Sequence, residues 1–190
     1  MNSTTKPRTS PRKRLARASR RPSGAPPSGA PASGFRLDVE LELGPLAVAC
    51  SNVALGYAVT AKHARDEHVA DHAVMLADAY RSLSAHIAGL ALSLGGMPPR
   101  TKATCGERLR WEWLASSARL LDGAPDERLL AECARAREAA DVATLELQKV
   151  DAVKMHPAMR QIHATLVRAR NAAVRLAHHS TSERTAFAAT

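Results

Sequence analysis

Histidine, cysteine and carboxylate side chains are the groups in this chain suited to acid–base, nucleophilic or metal chemistry, and their spacing decides which is open to it. His63 and Glu67 lie four residues apart, as do His68 and His72, a step that stacks side chains on one helix face. Imidazole and carboxylate so placed can ligate a divalent metal. A hydrogen-bonded core histidine uses the same step, and His72 falls on an apolar stripe. The stricter signature of a metal-holding helical bundle is Glu-x-x-His, and here no Asp or Glu has a histidine three residues later. The expectation is therefore no cofactor and no metal, with His63, Glu67, His68 and His72 the residues a metal or redox site would have to use.

The three cysteines, Cys50, Cys105 and Cys133, are widely spaced with no C-x-x-C. That set fits a reducing cytoplasm better than a disulfide framework or a zinc site. Cys50 and Cys133 sit on apolar stripes as small buried groups. Cys105 lies near a helix start, where a thiol pKa can fall, but no acid or base partner can be placed beside it. Glycine-rich phosphate loops, G-x-S-x-G and H-E-x-x-H are all absent. These features favour a non-enzymatic protein.

The elements that must carry these residues are helices. Aromatic residues make up 3% of the chain, too few for a β-sandwich or barrel, while Ala, Leu, Arg and Glu dominate. Apolar residues recur at three- and four-residue steps, predicting helices over about 45–65, 67–94, 104–121, 125–150 and 157–178. Pro45 suits the first turn of the first helix. Gly95-Gly96-Met97-Pro98-Pro99 ends the second. In the third, the expected stripe is Leu109, Trp113, Leu114, Leu120 and Leu121. Trp111 and Trp113 are about 200° apart around a helix axis, so only one can face the core while the other packs at an edge or a partner surface. The last helix carries Gln161, Arg168 and Arg175 on one face. No stretch approaches the ~18 uncharged apolar residues of a membrane span.

The net charge of +9 is uneven. Lys6, Arg8, Arg12, Lys13, Arg14, Arg17, Arg20 and Arg21 stand in residues 1–34 with no acid, which leaves +1 for the remainder. Six prolines, three glycines and many serines share that segment. It has almost nothing apolar to bury, so 1–37 is read as a disordered tail, 38–178 as a helical domain and 179–190 as a flexible C-terminal tail. Arg12, Lys13, Arg14, Arg17, Arg20 and Arg21 are suited to weak, non-specific contact with a polyanion such as nucleic acid. With no interleaved aromatics they would not read bases.

Taken together, Gly56-Tyr57, Leu94-Gly95-Gly96-x-Pro98, a Trp-bearing crossover helix, Leu129-Leu130-Ala131-Glu132-Cys133 and Gln161 resemble a bacterial ferritin-like four-helix-bundle family of unknown function. The resemblance implies an all-α fold with four long helices and a short crossover helix. It also implies inward acids, and this chain lacks most of them. A Glu-Cys-Glu-Arg-Gly-Glu-Asp run in that family stands here as Glu132-Cys133-Ala134-Arg135-Ala136-Arg137-Glu138. Lys62 occupies a further acidic position, and Arg170-Asn171 replaces a His-Asp pair. A guanidinium stays charged in proteins and repels a dication, so Arg137 is expected to substitute for the metal's cross-linking role by pairing with Asp78. The expected function is association with a second copy or another protein. A residual metal or redox bundle, and a polyanion binder acting through the tail, are the alternatives.

Overall fold

The computed structural model describes residues 33–120, 125–149 and 156–188. The described residues form five helices and no strand: α1 Ser33–His63, α2 Glu67–Ser93, α3 Cys105–Leu120, α4 Pro125–Leu147 and α5 Pro157–Ala188. The basic segment that carries the proposed polyanion contacts lies outside the described residues.

Two boundaries depart from expectation. Helix α1 starts at Ser33, inside the segment assigned to the tail, so Pro45 lies within the helix rather than in its first turn. Proline at such a place gives up one backbone hydrogen bond, and the preceding Gly44-Pro45 pair had the appearance of a start signal. At the other end α5 continues to Ala188, well into the segment expected to be flexible.

Local signals fix the helix ends. Asp66 caps α2 by accepting the amide of His68 at 2.8 Å. The Leu94-Gly95-Gly96 stop is a Schellman motif, in which Gly95 N–H donates to Leu92 O and Gly96 N–H to Ala91 O, both at 2.9 Å. Gly95 adopts φ 82°, a left-handed conformation that suits glycine. Helix α3 opens on a capping box: Glu107 N–H donates to Thr104 Oγ1, and Thr104 N–H donates back to the Glu107 carboxylate. Those bonds, the Thr104 backbone first, hold the Glu107 carboxyl below its usual range. Before α5, the His156 ring accepts the Ala158 amide at 3.2 Å.

Helix α1 packs against α2 and α4, and α5 packs against the same two, while α3 lies across α1 and α4. The core between the long helices holds Leu46, Cys50, Val53 and Tyr57 of α1, Tyr80, Leu83 and Ile87 of α2, Cys133 and Ala140 of α4, and Ile162 and Leu166 of α5. These follow the expected stripes, with one exception: His72 of α2 is exposed.

One segment of α1 differs from the membrane reading of the sequence. Leu43–His63 is long and apolar enough, by length and composition, to cross a membrane, and 56% of its most apolar window is buried inside the protein. Core-facing helices of water-soluble proteins pass the same length and composition test.

Candidate functional site

The inward side chain of greatest interest, Arg137 of α4, lies half-buried in the core beside Tyr57, whose hydroxyl it reaches as a hydrogen-bond partner. Tyr57 stacks on Tyr80 across α1 and α2, with ring centroids 6.1 Å apart and planes 18° from parallel. Burial raises both phenols far above their ordinary range, and the Arg137 charge pulls in the opposite direction. The expected Arg137–Asp78 pair does not form. Asp78 is exposed on α2 and pairs with Arg81 one turn along its own helix, because its Cα lies off the buried stripe. Arg137 Nε is buried without a hydrogen-bond partner.

The neighbouring thiols are chemically quiet. Burial pushes Cys50 and Cys133 up to about 12, so neither is a thiolate near neutral pH. Cys133 Sγ lies 3.4 Å from the Thr60 hydroxyl. Cys105 is exposed.

The four residues proposed as metal ligands divide between two places. His63 is buried at the end of α1, with Nε2 3.1 Å from the Glu112 carboxylate of α3 and Nδ1 buried without a partner. Lys62 Nζ donates to the same carboxylate at 3.0 Å. Both bonds, that of Lys62 first, hold Glu112 below its ordinary pKa. Glu67 is exposed in the first turn of α2. His68 and His72 instead join His179 of α5, with ring centroids 4.0 Å apart within α2 and 4.2 Å between His68 and His179. His72 Nδ1 is occupied by the His68 carbonyl at 2.9 Å. Among the described residues no group of three His, Cys, Asp or Glu side chains is placed to hold a metal ion. The donor set does not fit the metal that the family resemblance implies, since its inward positions hold Ala134 and Arg137.

Asp126 is a buried polar anchor. It opens α4 and accepts the amides of Arg65 and Asp66 at 3.0–3.1 Å, tying α4 to the turn between α1 and α2. An acid just after Pro125 was legible as a helix start, but the sequence held no sign of its second role 60 residues away.

The most consequential departure concerns α3. Its inner face is Trp111, Ala115 and Ala118, all buried, whereas Leu109, Trp113 and Leu120 are 65%, 68% and 85% exposed. At about 100° per residue, those three share a stripe about 40° wide, roughly opposite Trp111. Of the expected core stripe these three face outward, Leu114 is half-buried against the core, and Leu121 lies outside the described residues. The inner face needs little bulk because Trp111 inserts over Gly56: a methyl added there would come 2.6 Å from the indole. Trp111 Nε1 donates to Asn52 Oδ1 at 3.0 Å, satisfying the buried polar atom. Arg108 and Arg119 stand roughly 100–120° around the helix from that ridge, Arg108 beside Ser51 and Leu55 of α1, and both are exposed and, among the described residues, without an ion-pair partner. The acids of α3 are already engaged, Glu107 with Thr104 and Arg100, Glu112 with Lys62 and His63.

No family model, curated protein or solved structure matches this chain.

Proposed function

We propose that this chain is a ferritin-like four-helix bundle, with α3 as its crossover helix, that acts without catalysis by associating with a protein through the outer face of α3. The carrying observation is the ridge of Leu109, Trp113 and Leu120. A helix whose largest apolar residues face water, while its core face is filled by one indole and two alanines, gains more by covering the outside than a scattered exposed leucine would. Tryptophan is also among the residues that dominate binding energy at protein interfaces. The chemistry of the interior supports the non-catalytic part: two protonated thiols, an internally engaged arginine, and histidines split between separate elements.

The test places a photo-crosslinking amino acid at Leu109 or Leu120, with exposed Ala164 of α5 as control, in the cells that make the protein. Discrete protein adducts from the α3 positions, lost when Trp113→Glu is added, are expected. Equal labelling from Ala164, or α3 adducts that survive Trp113→Glu, would refute the proposal.

A further inference from the structure

We infer that the recess where the α2–α3 connection lies against α1 and α2 binds a small amphiphilic anion, its charged head held by Lys102 and Arg108 and its apolar body laid between the helices. The inference is independent of the association reading above. The recess has a volume of about 540 Å³, within the roughly 300–1,000 Å³ usual for small-molecule sites. Leu55 and Ala58 of α1 and Ala85 of α2 form its apolar floor. The cations Arg81, Lys102 and Arg108 also line it, and no acid does. Arg81 pairs with Asp78, but Lys102 and Arg108 are exposed and have no ion-pair partner among the described residues. Glu107, beside Arg108 in sequence, is already engaged by Thr104 and Arg100.

The connection is a fixed wall of this recess. Ser51 Oγ of α1 donates to Thr101 O at 2.9 Å, Arg100 Nε donates to Lys102 O at 2.7 Å, and the Thr104–Glu107 capping box follows directly. The backbone around Lys102 is therefore tied to α1 on one side and to the start of α3 on the other. A site ordered in advance loses less entropy on binding. A guanidinium and an ammonium lining one recess suit a carboxylate or phosphate head, the first through paired N–H donors and the second as a point charge. A neutral apolar ligand would leave both cations unused, and an inorganic anion would leave the floor bare. A protein partner fits less well, because a stable interface needs about 800 Å² from each side and the recess offers far less. The recess is also distinct from the outer face of α3, since Arg108 stands roughly 100° or more around the helix from Leu109, Trp113 and Leu120.

The test is isothermal titration of the full chain with decanoate, decyl phosphate and decanol, with acetate and inorganic phosphate as heads without a body. Decanoate and decyl phosphate share the required chemistry, and the tighter of the two identifies the head. Saturable 1:1 binding of at least one is expected, with Kd below about 1 mM. Decanol, acetate and inorganic phosphate should each bind at least about tenfold more weakly. The double variant Lys102→Gln/Arg108→Gln and the single variant Ala85→Glu lie at exposed positions, so far-UV circular dichroism should be unchanged. Each should weaken binding of the amphiphile at least about tenfold, by removing the charges that hold the head or by adding one that repels it. Trp113→Glu should leave that binding unchanged, so this site and the association surface fail separately. Four results would each overturn the inference: decanol or an inorganic anion binding as tightly as the amphiphile, a double variant that binds like wild type, loss of binding on Trp113→Glu, or no saturable binding of either amphiphile.

Discussion

Replacing Gly56 by alanine in the middle of α1 should destabilise the protein, although helix propensity alone predicts the opposite. Alanine is favoured over glycine in a helix interior by about 1 kcal/mol. Against that gain stands the added methyl, which would lie 2.6 Å from both Cη2 and Cζ2 of Trp111 and 3.2 Å from Cys133 Sγ. Relieving such contacts means displacing a rigid indole that also holds a hydrogen bond to Asn52, and overpacking of this kind costs about 1–3 kcal/mol, at the upper end where the neighbour cannot rotate away. The net expectation for Gly56→Ala is a loss of about 1–2 kcal/mol, or a fall in Tm of roughly 2–8 °C at the 2–4 °C per kcal/mol of a chain this size. The sign should reverse in a Trp111→Leu background. There the clash is gone, only the propensity difference of about 1 kcal/mol remains, and Gly56→Ala should raise Tm. Thermal melts of the four proteins by far-UV circular dichroism measure the cycle. In a Trp113→Phe background, the emission of Trp111 should also shift to the red on Gly56→Ala as the ring is pushed from its seat. A Gly56→Ala effect of the same sign in both backgrounds would refute the reasoning.

Three other perturbations test separate parts of the structure. Asp126→Ala removes a carboxylate that accepts the amides of two residues in the α1–α2 turn and should cost about 2–3 kcal/mol in urea unfolding, a value under 1 kcal/mol being incompatible with the role assigned to it. Arg137→Met gives up the hydrogen bond to the Tyr57 hydroxyl but also a guanidinium whose Nε has no partner, so the loss of unfolding free energy should not exceed about 2 kcal/mol, and a larger one would show a pairing beyond Tyr57. Cys50 and Cys133 hold their protons up to about pH 12 when folded and release them near 9 when unfolded. Between those values the native state binds more protons than the unfolded one, so this contribution to stability is complete below pH 9 and declines above it. Tm should accordingly fall from pH 8 to pH 10.5, and a thiol reagent at pH 8 should modify Cys105 quickly and the other two only on unfolding; a flat pH profile or three fast thiols would contradict the burial argument.

The long helices were legible because their apolar positions alternate with charge at a constant step, and Met159 to Leu176 in α5 or Leu46 to Tyr57 in α1 kept that register in three dimensions. Helix α3 was not, for a specific reason. A stripe drawn through the bulkiest apolar residues assumes that size marks the core, but here a single indole fills the space that Gly56 leaves, and two alanines suffice beside it. The pairing of a glycine with a tryptophan 55 residues away cannot be seen in either helix alone. Histidine spacing misleads for the same kind of reason. His63 and Glu67 share a helical spacing but not a helix, since α1 ends at His63 and α2 begins at Glu67. His179, the neighbour of His68, lies in a segment whose composition reads as a flexible tail but which is helical. Arg137 is half-buried, and its partner is Tyr57 of α1 rather than Asp78 of α2.

The bonds of Asp126 bear on how the molecule comes apart. One carboxylate joins the amides at the α1–α2 turn to the first turn of α4, so neither end can fray without exposing unpaired groups at the other. The start of α2, the end of α1 and the start of α4 thus form a single cooperative opening unit, and their amide protons should exchange with solvent at a common rate. Helix α5 packs on α2 and α4 and reaches the start of α2 through His179, whose ring lies 4.2 Å from that of His68.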